Sequence, residues 1–148
     1  MMQTQTTRHQ IISNVPEGLP LVYGDIDRIQ QVLINLISNA IKYSDKGEIR
    51  ILGSTPDDES VQLCVRDEGQ GILPDEIDHL FERFFRASRS SNKTKGVGLG
   101  LFLSNGIVRG HGGKIWAENR TDRSGAIFCF ALPIDPQTRL TSLQFREF

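Results

Sequence analysis

The sequence predicts a two-layer α/β sandwich of the α+β class, in which about five mostly antiparallel strands pack on about three helices. Helical and strand patterns are mixed, and the strands fall into hairpins instead of alternating regularly with helices. A length of 148 residues with 38% hydrophobic residues fits one folded core. We expect this domain to occupy residues 9–136, between a disordered remnant at 1–8 and a tail at 137–148.

The N-terminal half of the domain contains its longest predicted helix. His9–Asn14 alternates weakly between apolar and polar residues, and Leu21–Tyr23 is a second short extended piece after a Pro-Glu-Gly turn. Apolar residues then recur at helical spacing from Asp25 to Tyr43, which predicts an amphipathic helix. Asp25 or Asp27 can cap this helix, because a short acidic side chain accepts hydrogen bonds from the first free backbone amides.

The rest of the domain is expected to consist of two hairpins and two shorter helices. A Thr-Pro-Asp-Asp turn separates the first two strands, and Pro74 suits the first position of a short helix. The expected strands are Glu48–Ser54, Ser60–Asp67, Lys114–Asn119 and Gly125–Pro133, and the expected helices are Pro74–Leu80 and Leu99–His111.

The charge and cysteine content narrow the class of protein. Lys and Arg number 17 against 18 Asp and Glu, and the net charge of -1 provides no general attraction to nucleic acid or to an anionic membrane. Any anion must therefore be bound by local geometry. Cys64 and Cys129 each lie in an apolar run; a disulfide between them is possible, but a reduced cytosolic pair is the favoured interpretation.

The long predicted helix carries a polar stripe that borders its apolar one. Arg28, Asn35, Asn39 and Lys42 share one helical face, because their spacing follows the helical repeat. Amide oxygens are suitable ligands for Mg²⁺, and a neighbouring Lys offsets phosphate charge. A solvated helix face would explain most such stripes, but two Asn residues inside one helix are less expected, since Asn is a poor helix former.

Three further segments are candidates for a nucleotide or phosphate site. Asp67–Ile72 (DEGQGI) places an acid before two glycines, where it can accept a hydrogen bond from the amine of a flat base, although a tight turn explains the pattern equally well. Phe81–Arg86 (FERFFR) combines aromatic anchors with arginines that can reach phosphate. Gly96–Leu101 (GVGLGL) opens a helix, so its amides suit a phosphate. A dinucleotide fingerprint would need glycine where Leu101 stands, and the Gly-Gly-Lys sequence before Ile115 lacks the Ser or Thr of a Walker loop.

The order of these segments resembles the histidine-kinase branch of the Bergerat-fold ATPase superfamily, which also includes type II DNA topoisomerases. Asn35–Ser44 (NLISNAIKYS) looks like the N box of that family, and FERFFR looks like the F box between its two glycine boxes. The resemblance covers roughly His9 to Ile134 and includes the closing HGGKIWAEN and GAIFCFALP sequences. It implies a domain that binds ATP with Mg²⁺ and donates its terminal phosphate.

The resemblance also implies roles for individual positions. Asn39 is expected to coordinate Mg²⁺, with Asn35 in or beside its coordination shell. Lys42 and Arg86 are expected to neutralise phosphate charge, so that Asn35, Lys42 and Arg86 form the catalytic set. A mobile lid is expected at Leu73–Lys95. The expected nucleotide-binding positions are Asn39, Tyr43, Asp67 (which would bind the adenine amino group), Gly69, Gly71, Ile72, Gly96, Gly98, Leu99, Gly100 and Leu101.

The partners implied by the resemblance lie outside this chain. The phosphoacceptor histidine of the family sits in a helix beside an acidic residue, and none of His9, His79 and His111 has that context. His111 is instead expected at a helix C-terminus, where a cation suits the dipole. We therefore expect a separate dimerisation and phosphoacceptor domain, a response-regulator receiver domain as partner, and no nucleic acid. The isolated domain is expected to be a cytoplasmic monomer of a homodimeric kinase, and a membrane anchor in the parent protein is left open.

Three alternative functions on the same fold are weighed against this one. A serine kinase that inhibits a sigma factor usually has Glu where Asn35 stands and differs around the lid. A nucleotide-sensing module without catalysis is disfavoured by the intact boxes. A topoisomerase or chaperone ATPase would need a catalytic Glu near Asn35 and longer partner domains. Phosphate transfer to a helical acceptor domain would separate these alternatives.

Overall fold

The computed structural model describes residues 8–85 and 99–135. These residues contain one mixed sheet and two α-helices. The α+β class predicted from the sequence is confirmed, with two α-helices and one short 3₁₀ turn in these ranges. The elements are β1 (His9–Asn14), α1 (Ile26–Tyr43), β2 (Gly47–Ser54), β3 (Ser60–Arg66), α2 (Gly100–Gly110), β4 (Lys114–Asn119) and β5 (Ala126–Pro133).

The sheet has the strand order β1-β2-β3-β5-β4, and every pair is antiparallel except β1 with β2. β1 and β2 are parallel because the chain between them returns through α1 to the same end of the sheet. On the helix-facing side of the central strands, Val65 pairs with Phe128 and Leu63 pairs with Phe130. α1 contacts β2 and β3, and α2 contacts β4 and β5, so the core lies between the two layers.

α1 begins where the sequence predicted, because Asp25 caps it. Its carboxylate accepts hydrogen bonds from the backbone amides of Asp27 and Arg28, at 3.0 and 3.3 Å. The buried face of α1 consists of Val32, Leu36, Ile37 and Ala40. Of the helices in the described part of the chain, none is long and apolar enough to cross a membrane.

His111 connects the end of α2 to the start of α1. Its Nε2 accepts a hydrogen bond from the backbone N–H of Asp25 at 3.0 Å, and its Nδ1 lies 2.8 Å from the carbonyl oxygen of Ile107. Because a carbonyl oxygen can only accept, Nδ1 donates while Nε2 accepts. His111 is the C-cap of α2, so its expected position at a helix C-terminus is confirmed. A Cβ at Gly24 would lie 2.5 Å from the ring, so only glycine fits there.

One minor element differs from the prediction. Pro74–Leu80 does not form an α-helix; only Ile77–His79 complete a 3₁₀ turn. This segment is too short for its local pattern to outweigh the packing of the chain around it. Leu21–Tyr23, expected as a short extended piece, contributes one isolated bridge from Val22 to Ile134.

Cys64 and Cys129 form a disulfide bond, so the expectation of a reduced pair is wrong. The two residues are directly opposed in β3 and β5, with their Cα atoms 4.1 Å apart. Both cysteines are buried. Their neighbours along each strand face the core, and side chains alternate along a strand, so the cysteines lie on the face of the sheet that points away from the helices. The register of β3 on β5 is what brings the sulfurs together.

Candidate functional site

Asp67 directly follows β3, and only 1% of its surface is exposed. Its Oδ1 accepts hydrogen bonds from the backbone amides of Gly69 at 2.9 Å and Ala126 at 3.1 Å. Its Oδ2 has no hydrogen-bond partner in the described part of the chain. A buried carboxylate oxygen without a donor is costly, so this atom is suited to a donor that a ligand supplies.

The two glycines after Asp67 are required by close contacts of the loop. A Cβ at Gly69 would lie 2.5 Å from the backbone oxygen of Tyr43, at the end of α1. Gly71 has a φ of 84°, a backbone angle that residues with a side chain rarely adopt, and a Cβ there would lie 2.8 Å from Asn119 Oδ1. The loop therefore lies against both α1 and β4, as the tight-turn and the ligand-site interpretations both require.

Asn119, at the end of β4, holds the end of this loop. Its Oδ1 accepts from the backbone N–H of Ile72 and its Nδ2 donates to the backbone oxygen of Ile72, both at 2.7 Å. Ile72 itself is buried in the core. One side chain thus fixes both backbone groups of the last residue of the loop.

The turn between β4 and β5 holds the start of the same loop. Arg120 Nη1 donates to the backbone oxygen of Asp67 at 3.1 Å, and Ser124 Oγ donates to the backbone oxygen of Gly69 at 2.6 Å. Asp122 pairs with the Arg120 guanidinium through both carboxylate oxygens, at 2.9 and 3.0 Å. This hydrogen bonding to Arg120 lowers the pKa of Asp122 to about 2.

Glu68 joins the loop to β2. Its Oε1 accepts from the backbone amide of Glu48 at 2.9 Å, and its Oε2 pairs with Arg123. The amide hydrogen bond, followed by the charge of Arg123, lowers the pKa of Glu68. Sequence reasoning missed Asn119, Arg120 and Ser124, because they belong to a distant hairpin whose position depends on strand order.

The polar stripe of α1 supplies amide and ammonium groups next to this loop. Asn39 Nδ2 is buried without a hydrogen-bond partner in the described part of the chain, and Lys42 is exposed. Asn35 Nδ2 donates to Ser104 Oγ at 3.1 Å and lies 3.4 Å from the backbone oxygen of Gly100. The stripe therefore borders the start of α2.

The start of α2 presents backbone amides that its N-cap side chain leaves uncapped. Leu99 occupies the N-cap position, and its side chain makes no capping hydrogen bond. Gly100 is exposed, and Leu101 packs against the core, which anchors the first turn. Free amides at a helix N-terminus, together with the helix dipole, favour an anion such as phosphate.

Part of the predicted site lies outside the described residues. Arg86, Gly96 and Gly98 are in that part, as is the predicted lid after Phe85. Of the F-box aromatics, Phe81 contacts Phe128 edge to face with ring centroids 6.5 Å apart, as expected of a core anchor. Phe84 is exposed and has a φ of 65°, a conformation that is strained for a bulky side chain.

The groups in this region fit a magnesium nucleotide. Asp67 Oδ2 is a buried acceptor, half-buried Asn39 has a side-chain amide whose Nδ2 is buried, Lys42 is an exposed cation, and the N-cap side chain of α2 makes no capping hydrogen bond. Residues 8–85 and 99–135 contain no group of three or more His, Cys, Asp or Glu that could enclose a metal ion. Mg²⁺ usually takes few protein ligands and completes its shell with phosphate and water.

Comparison with known sequences gives a family match over most of the chain. The family described as histidine kinase-, DNA gyrase B-, and HSP90-like ATPase matches residues 24–136. The adaptive-response sensory kinase SasA of Trichormus variabilis is 41% identical over 132 residues, which are 88% of this chain and 32% of SasA. The chain therefore spans about a third of the length of this curated relative.

Solved structures of histidine kinases have the same fold. The mycobacterial sensor histidine kinase MprB superposes with a TM-score of 0.81 at 27% identity, over 90% of this chain and 89% of that one. The histidine kinase ThkA, in a complex with the response regulator TrrA, superposes with a TM-score of 0.72 at 29% identity, over 92% of this chain and 37% of that one.

Proposed function

Because the chain belongs to the histidine kinase-, DNA gyrase B-, and HSP90-like ATPase family, we propose that it is the catalytic ATP-binding domain of a two-component sensor histidine kinase. In the proposed reaction a histidine nitrogen of a separate domain forms a bond to the γ-phosphorus of ATP. The bond from that phosphorus to the bridging oxygen breaks, and ADP leaves with the electron pair. The unpartnered Oδ2 of buried Asp67 is the observation that carries the proposal.

Asp67 is proposed to bind the adenine amino group. Its Oδ1 is held by two backbone amides, so its Oδ2 is the atom left for the amine. Gly69, Gly71 and Ile72 would shape the base-binding pocket, because they are fixed against α1 and β4. Tyr43, whose backbone oxygen lies against the first of these glycines, would approach the nucleoside.

The phosphates are proposed to lie between the polar stripe of α1 and the start of α2. Asn39, with Asn35 beside it, would hold Mg²⁺, which when bound neutralises phosphate charge. Lys42 would attract the phosphates as an exposed cation. The backbone amides of Leu99, Gly100 and Leu101, at the start of α2, would donate hydrogen bonds to them. Arg86, Gly96 and Gly98 are proposed to complete this set. The contribution of the protein is positioning and charge neutralisation.

The phosphoacceptor is proposed to lie on another domain, because each histidine of this chain has a structural role. His9 Nε2 lies within 3.0 Å of two Ser44 oxygens, His79 pairs with Glu82, and His111 accepts from a backbone amide. Phe102 and Leu103 are exposed on the first turn of α2, beside the proposed phosphate site. They offer an apolar surface on which a helical acceptor domain could dock.

The proposed partners follow from this division of labour. A dimeric acceptor domain would supply the histidine, and a response regulator would then take the phosphate, as the complex of ThkA with TrrA supports. This domain alone is proposed to be a cytoplasmic monomer, and its net charge of -1 gives no support to nucleic-acid binding.

The proposal is tested in two stages. Calorimetric titration of ATP with Mg²⁺ should give saturable binding to the wild type that Asp67→Ala abolishes. When the wild type is mixed with labelled ATP and a helical acceptor domain from the same kinase, a histidine of that domain should gain a labelled phosphate that acid removes. A labelled serine, whose phosphate is stable to acid, would instead indicate the alternative serine kinase. Binding without any transfer would leave a nucleotide-sensing module, and no binding by folded protein would refute the proposal.

A further inference from the structure

A polar contact joins α1 to the first turn of α2. Asn35 Nδ2 donates to Ser104 Oγ at 3.1 Å and lies 3.4 Å from the backbone oxygen of Gly100. Gln31 Nε2 donates to Asn35 Oδ1 at 3.2 Å, from one turn earlier in α1. Both polar atoms of the Asn35 side chain are therefore engaged within the protein.

Ser104 is the buried member of this contact, with 0% of its surface exposed. A buried hydroxyl is tolerated when it is hydrogen-bonded, and Asn35 supplies that bond. The other buried polar side chains in the described ranges are Ser44, which binds the end of α1, and Asp67, which belongs to the proposed base site. The hydroxyl of Ser104 has neither of these roles; its hydrogen bond joins α2 to Asn35 on α1.

Apolar packing holds the first turn of α2 on one side only. Leu101 packs on the core, but a Cβ added to Gly100 would meet nothing within 4 Å. The Asn35 contact supplies a polar attachment to α2 instead, through the carbonyl of Gly100 and the hydroxyl of Ser104. On α1, Asn39 lies one turn after Asn35 on the same face. The contact therefore sets the spacing between Asn39 and the uncapped amides of α2.

We propose that Asn35 and Ser104 are a positioning pair for the phosphate site, in which Asn35 aligns α2 with α1 and does not ligate the metal. This inference rests on the proposed function, because it concerns how the same ATP site is assembled. It assigns a role to Ser104, and it replaces the metal contact expected for Asn35 from the sequence.

A double-mutant cycle tests the pair. The variants are Asn35→Ala, Ser104→Ala and their combination, and the readouts are calorimetric dissociation constants for ATP and ADP with Mg²⁺, and the Mg²⁺ concentration that half-saturates ATP binding. Each single variant should weaken ATP binding about tenfold, the value of one net hydrogen bond, and the double variant should be no weaker than the worse single. The half-saturating Mg²⁺ concentration should stay at the wild-type value in all three, whereas Asn39→Ala should raise it.

The outcomes separate this inference from the proposed function. Independent, additive losses, or a raised Mg²⁺ requirement in Asn35→Ala with normal binding in Ser104→Ala, would overturn the pair and return Asn35 to the metal. A wild type that does not bind ATP would overturn both proposals. Thermal unfolding guards against loss of fold, and Asn35→Leu, which keeps about the same size and adds no charge but removes the amide, should reproduce the weakened ATP binding at unchanged Mg²⁺ requirement if Asn35→Ala does not fold.

Discussion

Replacing Asp67 by Asn changes one atom of the proposed base site and leaves its shape unchanged. The backbone amides of Gly69 and Ala126 donate to Oδ1, so the new side chain should keep its oxygen there and place its NH₂ at the former Oδ2 position. That position then faces the adenine amine with a donor instead of an acceptor. The loss of a charge-assisted hydrogen bond, about 1.5–3 kcal/mol, should raise the dissociation constant for ATP about ten- to a hundredfold.

The assay is calorimetric titration of both proteins with ATP and with inosine triphosphate, in the presence of Mg²⁺. The wild type should prefer ATP, and Asp67→Asn should lose or reverse this preference, because its NH₂ can donate to the carbonyl that inosine has in place of the amine. Urea unfolding without nucleotide should show no large loss of stability, since Oδ1 keeps its two amide partners and the change is confined to Oδ2, which has no partner in the described part of the chain. Asp58→Asn, an exposed charge change beyond the other end of β3, is the matched control.

The reasoning would be refuted by a folded Asp67→Asn protein that binds ATP as the wild type does. Equal losses of ATP and inosine triphosphate would also contradict it, because such losses would mean that Oδ2 supports the loop and does not recognise the base.

Three further predictions concern the structure around the site. Asn119→Ala should lower the free energy of unfolding, measured in urea, by about 1–3 kcal/mol, because both backbone groups of Ile72 lose their partner. It should also weaken ATP binding, and a destabilised variant with unchanged ATP affinity would contradict the proposed link between this loop and the base site. Breaking the disulfide should lower stability by about 4 kcal/mol, as the chain-entropy model gives for a separation of 65 residues, which unfolding with and without reductant would measure; equal stability in both would argue against the bond. Asp122 has a pKa of about 2 against 3.8 unfolded, so its pairing with Arg120 stabilises the protein above pH 3.8 and is lost as the pH falls through about 2. Asp122→Asn should therefore be less stable than the wild type at pH 6, with a difference that shrinks as the pH falls through about 2, and a difference that does not shrink at low pH would contradict this assignment.

Local signals explain what the sequence alone could predict. α1 was predictable because its apolar repeat and its Asp25 cap lie within the helix or beside it. Asp67 and its glycines were recognisable from their spacing, and the structure gives a physical reason for each glycine in the close approach of α1 and β4. In each case the pattern that allows recognition spans only a few residues, although the contacts that require the glycines come from α1 and β4.

Long-range contacts explain what the sequence could not predict. Asn119 and Ile72 are 47 residues apart, and Cys64 and Cys129 are 65 apart, so each pair depends on β5 lying between β3 and β4. Nothing in the residues themselves specifies that order. Ser104 shows the same limit, because a serine on an amphipathic helix looks like a solvated residue until its partner on another helix is known.

The bond between Cys64 and Cys129 turns the chain between them into a covalent ring. Both glycine boxes and the F box belong to that ring, as does α2. A protease that cuts the backbone once inside the ring would leave two pieces that stay attached to each other, one carrying α1 and the other the end of β5. The nicked protein should therefore migrate as a single species until a reductant is added.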